Sequence, residues 1–229
     1  MTNGPQNQGH PDTAQILKTD LFGQISKELR ELNGVLTPVI VRNIRPARWW
    51  LRLLARRLAN REAKVLQQLP QRAGLPALLE WDGNTLCRTY VDGLPMQNGQ
   101  PREPHYFKTA KRLLHELHRN GIVHNDTAKE PNWLVLPDGS AGLVDFQLAG
   151  LFARRSKTFR VLALEDLRHL LKHKRSYLPD RLTTREQRIL AHPAWHARIW
   201  RKTGKKFYLL ITRRMLNWQD REGAGDRSL

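Results

Sequence analysis

At 229 residues and 40% apolar content, the chain carries enough material for one compact unit, or for two small lobes sharing a cleft, which excludes a tail or a fibre. One cysteine, Cys87, excludes an internal disulfide framework, and no Cys/His cluster has zinc-ligand spacing. There is no run of about 18 apolar residues and no secretory pattern at the amino terminus, so a reducing, cytoplasmic setting is expected. The net charge of +18 lies unevenly, with 19 Lys+Arg against 14 Asp+Glu in residues 1–150 and 20 against 7 in residues 151–229. Such a surface either attracts polyanions (phospholipid, lipopolysaccharide or RNA) or only opposes aggregation.

Taken in chain order, residues 1–11 are rich in Gly, Pro, Asn and Gln and are expected to form a disordered tail. From Asp12 to Leu32, Ile16, Leu17, Leu21, Phe22, Ile25, Leu29 and Leu32 fall at helical spacing and predict one or two helices, with Gly23 as an internal weak point. Asn33-Gly34 is a turn signal, and Val35–Ile44 is β-rich. Residues 46–69 carry the longest helical signal, with Trp50, Leu54 and Leu58 on an apolar stripe that continues through Ala63, Leu66 and Leu69, and Arg48, Arg52 and Arg56 on a basic one. Two readings fit: an ordinary amphipathic helix with solvated arginines, or a membrane-surface helix with Trp49 and Trp50 at the interface.

Turn chemistry at Gly74-Leu75-Pro76 and Asp82-Gly83-Asn84 frames two strands, Ala77–Trp81 and Thr85–Val91, which end in the polar linker Asp92-Gly93-Leu94-Pro95. His105–Asn120 is a helix with Tyr106, Phe107, Ala110, Leu113, Leu114 and Leu117 inward and Gly121 as its stop. Its His115 and His118 lack a third ligand and are expected to be exposed rather than metal-binding. Val161–His173 is a further helix, with Leu162, Leu164, Leu167, Leu170 and Leu171 as core candidates. Thr183–Trp218 is rich in Arg and Lys, with Trp195, Trp200, Phe207, Tyr208 and Trp218 between the charges.

The most informative stretch runs from His124 to Leu148, HNDTAKEPNWLVLPDGSAGLVDFQL. Two apolar runs, Trp133–Leu136 and Ala141–Val144, flank the turn residues Pro137-Asp138-Gly139-Ser140 and predict a hairpin. Its outer ends bring Asn132 beside Asp145, with Asp126 on the loop leading in. Oxygen ligands so placed suit Mg²⁺ carrying a nucleotide phosphate, and a nearby acid can orient an attacking hydroxyl.

His-x-Asp, then Lys-x-x-Asn, a hairpin and Asp-Phe resemble the catalytic loop and metal-binding motif of protein-kinase-like enzymes, most closely the small bacterial kinases of the RIO and lipopolysaccharide-kinase type. The resemblance covers roughly residues 34–172. It implies a two-lobed α+β fold: a small mixed lobe over residues 12–93, a mainly helical lobe over 94–183, and a basic aromatic extension over 184–229. It implies ATP and Mg²⁺ as cofactors and phosphoryl transfer to a hydroxyl, on a protein Ser/Thr or a lipopolysaccharide sugar, the latter peripherally at the inner membrane. A catalytically silent pseudokinase that binds a polyanionic or protein partner is the competing reading.

The resemblance also assigns roles. Asp126 receives or orients the acceptor's hydroxyl, Lys129 touches the γ-phosphate, Asn132 and Asp145 hold the metal, and His124 packs rather than reacts. Glu62 matches the ion-pairing helix glutamate, and residues 88–93 match the adenine-binding hinge. The chain departs from the pattern in four places. One extra residue stands between Asp126 and Lys129, which predicts a bulged loop; Gln147 replaces a glycine; a Gly-rich phosphate loop is missing; and Arg42 stands where the strand lysine is expected.

Overall fold

A computed structural model describes residues 14–191 and separates into two units, residues 1–182 and 183–229. The expected tail over residues 1–11 and the aromatic residues from Trp195 to Trp218 lie outside the described residues. The first unit is mixed α+β. Strands β1 (Gln15–Asp20), β2 (Gly23–Leu32), β3 (Val35–Asn43), β4 (Leu78–Trp81) and β5 (Thr85–Thr89) build one antiparallel sheet in the order β1-β2-β3-β5-β4.

The helices expected up to Leu32 are not formed; Gln15–Leu32 is the β1–β2 hairpin, paired from Gln15 opposite Lys27 to Asp20 opposite Gly23 with a shift of register between Ile16 and Lys18. A spacing of four, as between Ile25 and Leu29, suits one helix face and one strand face alike, so periodicity does not separate them. Backbone pairing decides the matter: β2 is bonded along its length to β3, Gln24 opposite Asn43 through Leu32 opposite Val35. Gly23 is the turn residue rather than a weak point. Its φ is +131°, a Cβ there would run into the Asn43 carbonyl, and the Asp20 carboxylate closes the turn by accepting from the Phe22 N–H at 2.8 Å.

Helix α1 (Arg52–Leu66) is shorter than the 46–69 signal, and only its second half faces as expected: Ala63 and Leu66, with Leu69 just beyond, are buried, and Leu58 is half-buried. Ala55, Ala59, Glu62, Ala63, Val65 and Leu66 are buried, whereas Trp50 and Leu54 of the expected core stripe are exposed. The alanines pack with Ile44 and Ala47, against Phe22 and Trp81. Small side chains let the helix come close to the sheet, and that closeness brings Glu62 within reach of β3 and β5.

After the sheet, Leu94–Pro95 (β6) pairs with Trp133–Val135 (β8), which pairs with Ala141–Leu143 (β9), so the expected hairpin gains a third strand from the linker. A short helix α2 (Met96–Gly99) leads to α3 (Pro104–Arg119), which ends as expected at Gly121, φ +71°, where a Cβ would meet the Phe152 carbonyl. Ile122–Val123 (β7) pairs with Gly150–Leu151 (β10). Helix α4 (Lys157–Tyr177) starts on Ser156, whose Oγ accepts from the Phe159 N–H at 3.1 Å. Leu170 and Leu171 are buried as expected, Leu162 and Leu167 are half-buried, and Leu164 is exposed.

The largest apolar cluster runs from Leu66 of α1 and Leu86 of β5 to Tyr106, Leu113, Leu117, Trp133, Leu143, Phe146 and Leu170. In the second unit, α5 (Thr184–Ala191) opens on a reciprocal cap: Thr183 Oγ1 accepts from the Glu186 N–H at 3.3 Å, and Glu186 Oε2 accepts from the Thr183 N–H at 3.0 Å. Among the described residues no helix is long and apolar enough to cross a membrane.

Candidate active site

The hairpin brings its outer ends together as its turn chemistry predicts. Trp133 stands opposite Leu143, and the Val144 N–H donates to the Asn132 carbonyl at 2.9 Å, so Asn132 and Asp145 flank adjoining ends of β8 and β9. The Asn132 amide nitrogen donates to Asp126 twice, to its carbonyl at 2.9 Å and to Oδ2 at 3.0 Å. Lys129 Nζ also reaches Asp126 Oδ2, at 3.0 Å. Three of the residues singled out in sequence thus meet on one carboxylate. Because the amide nitrogen is committed to Asp126, its oxygen is the end suited to a cation.

Asp145 has φ +65°, a left-handed conformation uncommon outside glycine, and its Oδ1 is buried without a hydrogen-bond partner. A buried carboxylate oxygen costs free energy unless something pairs with it, so this atom asks for a cation. Among the described residues no three His, Cys, Asp or Glu side chains cluster at metal-binding spacing. The donor set here is one carboxylate and one amide, which fits Mg²⁺, an ion that keeps water and takes phosphate oxygens.

His124 is buried and spends both ring nitrogens on backbone: Nε2 donates to the Val144 carbonyl at 3.0 Å and Nδ1 accepts from the Asp126 N–H at 3.3 Å. Its ring meets Phe146 edge-on, 4.8 Å between centroids. This histidine joins the Asp126 loop to the Asp145 segment. The segment is also tied to α1, through Arg61, which donates to the carbonyls of Leu148 and Ala149.

Glu62 is 1% exposed and lies between two arginines, Arg42 Nε at 3.8 Å and Arg88 Nε at 3.6 Å. The Arg42–Glu62 pair joins β3 to α1, at the place where the resemblance implies a strand lysine paired with a helix glutamate. Arg88 was not anticipated as a member of this group. Ile40 stands opposite Arg88 and Leu86 opposite Arg42, so the two arginines are diagonal neighbours on one sheet face. The signal was present in sequence, since Arg88 is two residues from the buried Leu86 and shares its strand face. Burial pulls the Arg88 pKa down, Glu62 holds it up, Arg42 lowers it and Asp145 raises it. With two guanidiniums on one carboxylate, this corner keeps surplus positive charge facing the Asp145 side.

The residue that organises the loop is Asp166 of α4, which sequence reasoning passed over. Buried in the helix interior, its Oδ2 accepts from the His124 N–H at 2.8 Å and its Oδ1 from the Asn125 N–H at 3.0 Å and from Thr127 Oγ1 at 3.2 Å. His118 reaches the same carboxylate, Nε2 to Oδ2 3.4 Å, and is therefore part-buried rather than exposed as expected. The available signal was an acid at a position in register with Phe159 and Leu170. The extra residue of the loop is accommodated here as a turn at Thr127-Ala128, with Thr127 fully buried. The Thr127 carbonyl accepts from Trp133 Nε1 and from His173 Nε2, both at 3.0 Å.

The burial of His173 makes the loop's support sensitive to acid. Burial lowers the His173 pKa, outweighing the Thr127 carbonyl and Glu130, which raise it, while Lys172 lowers it further; neighbouring His169 is lowered too, by burial first. A histidine whose folded pKa lies below the unfolded value of 6.5 is protonated more readily in the unfolded chain. Its contribution is whole above about pH 6.5 and is lost as pH falls toward the folded pKa. The urea midpoint of the wild type is expected to drop between about pH 7.5 and 5.5, and that of His173→Gln to drop less; equal drops would contradict the assignment.

A depression of about 750 Å³ between the end of α1 and strands β4 and β5 is lined by Leu66, Arg72, Leu75, Leu79 and Trp81 among others, and none of the residues above borders it. A scan against models of known protein families finds no match for this chain, and no curated protein matches it.

Proposed function

We propose that this chain is an ATP- and Mg²⁺-dependent phosphotransferase acting on a hydroxyl, with the two-lobed kinase-like organisation that its motifs resemble. The observation that carries this reading is the buried, unpartnered Oδ1 of Asp145, in strained backbone beside Asn132 and the Asp126 loop. Mg²⁺, when bound by Asp145 and Asn132, would neutralise charge on the nucleotide phosphates. Arg42 and Arg88 supply positive charge for the remaining phosphate oxygens, and Glu62 holds them at the sheet face. Asp126 accepts the proton of the acceptor hydroxyl as that oxygen bonds to the γ-phosphorus and ADP leaves. Lys129, beside Asp126, steadies the transferring group. The acceptor is a protein Ser/Thr or a lipopolysaccharide sugar, as the two branches of the resemblance imply.

A second reading, a silent pseudokinase that binds a polyanionic or protein partner, draws on two features. Arg42 shares its carboxylate with Arg88, and the β1–β2 turn, Leu21-Phe22 closed by the single Gly23, is too short and glycine-poor to wrap phosphates. Thermal shift with ATP separates the cases in part: stabilisation by ATP is expected to need Mg²⁺ and to vanish in Asp145→Asn. Metal-independent stabilisation, or none, would sink the kinase site. Transfer of radiolabel from ATP to protein or lipopolysaccharide then divides enzyme from pseudoenzyme.

A further inference from the structure

The start of helix α1 and the residues before it leave large apolar side chains outside. Alanines face the sheet, while Trp49, at 84% exposure, and Leu53, at 71%, stand in solvent with Trp50 and Leu54 at 42% and 45%. Burying large apolar side chains is the main gain of an amphipathic helix, so four of them left outside at one end form a face without a partner in this unit. Around them the sequence from 45 to 61 places six arginines and no Asp or Glu. Several of these arginines are tied locally, Arg52 to the Arg45 carbonyl and Arg56 to Asn84 Oδ1, which fixes their stems and leaves their charge. Asp82, the acid whose charge acts on Arg45, is held by the N–H groups of Asn84 and Thr85 in its own turn.

We propose that Trp49, Trp50, Leu53 and Leu54, with the arginines around them, form a docking face for an anionic membrane surface. Indoles settle at the headgroup level, leucines enter the acyl boundary, and guanidiniums on long apolar stems meet lipid phosphates. A second copy of the chain is disfavoured on the same face, because two-fold pairing would set arginines against arginines. RNA would use the charge but not the leucines, which offer bases no ring to stack on. The proposal stands apart from the nucleotide reading, since none of its residues is placed in the phosphate site.

The test uses the full chain and sedimentation with phosphatidylcholine vesicles, with and without about one third phosphatidylglycerol. Binding is expected only with the anionic lipid, weakening as salt rises. The double variant Trp49→Ser/Leu53→Gln keeps the net charge and removes only exposed groups, and its partitioning is expected to fall roughly 10- to 100-fold. Arg48→Gln/Arg57→Gln should weaken binding at low salt and lose its effect at high salt. Unchanged binding by the Trp49/Leu53 variant would overturn the proposal, since charge elsewhere would then suffice. So would equal binding to neutral vesicles, or displacement of the vesicles by poly(U) RNA whose own binding falls in that variant.

Discussion

In Asp126→Asn, transfer of phosphate from ATP is expected to fall roughly 100- to 10,000-fold, with the thermal melt and Mg²⁺-dependent ATP binding close to wild type. The structure gives the reason for both halves. Asp126 Oδ2 is the point on which Asn132 Nδ2 and Lys129 Nζ converge, each at 3.0 Å, so the loop presents one carboxylate held by two donors. Asparagine has the same shape and can turn its remaining oxygen to Asn132, so the fold keeps its contact. On the proposed function it has no site for the acceptor's proton, and the step in which the hydroxyl oxygen bonds to phosphorus would lose its base. Radiolabel transfer in single-turnover conditions, measured beside the melt, checks the point. Near-wild-type turnover would remove Asp126 from the chemistry and leave it a loop support.

Asp166→Ala is expected to be strongly destabilising although it adds no bulk, at about 3–5 kcal/mol. Its carboxylate accepts from two consecutive backbone N–H groups, those of His124 and Asn125, and from the Thr127 hydroxyl, all in a buried setting. Alanine leaves these donors without acceptors where water does not reach. For a unit of this size the loss corresponds to a fall in Tm on the order of 10 °C. Asp166→Asn should cost less but remain costly, because both carboxylate oxygens are used and an amide sets an N–H against one of the donors. A variant of either kind that melts within about 1 °C of wild type would show that the network contributes little. If the loop slackens without unfolding, activity falls with only a small change in Tm, and the two readouts together distinguish support of the loop from support of the fold.

These two carboxylates differ in how far they could be read beforehand. Asp126 stands in a linear motif, His-x-Asp with Lys129 and Asn132 following, and the hairpin that brings Asp145 back is coded within a dozen residues by apolar runs and turn chemistry. Such features are local, and the chain alone determined them, along with helix α3 and its Gly121 stop, strand β3, and the uneven charge. Asp166 lies some forty residues further on, inside a helix where an acid is ordinarily solvated, and nothing local says that its side chain points at the loop. Arg88 is the same case: its pairing with Glu62 depends on the register of β5 against β3 and on where α1 crosses the sheet.

What only the tertiary structure decided has one physical cause, that local spacing is degenerate until a partner is chosen. Residues 15–32 satisfy a helix and a strand equally by spacing, and pairing with β3 selected the hairpin. The start of α1 offers an alanine face and a Leu face next to Trp49 and Trp50, and there the rule that large apolar residues go inside chose wrongly, while Val65 and Leu66 at its end are buried. The sheet admits only small side chains where Ala55 and Ala59 pack against Ile44 and Ala47, and that close approach delivers Glu62 to Arg42 and Arg88. The sequence by itself determined which groups the loop and hairpin bring together; the packing of α1 and α4 against them decided which buried charges hold that arrangement and which apolar side chains were left facing outward.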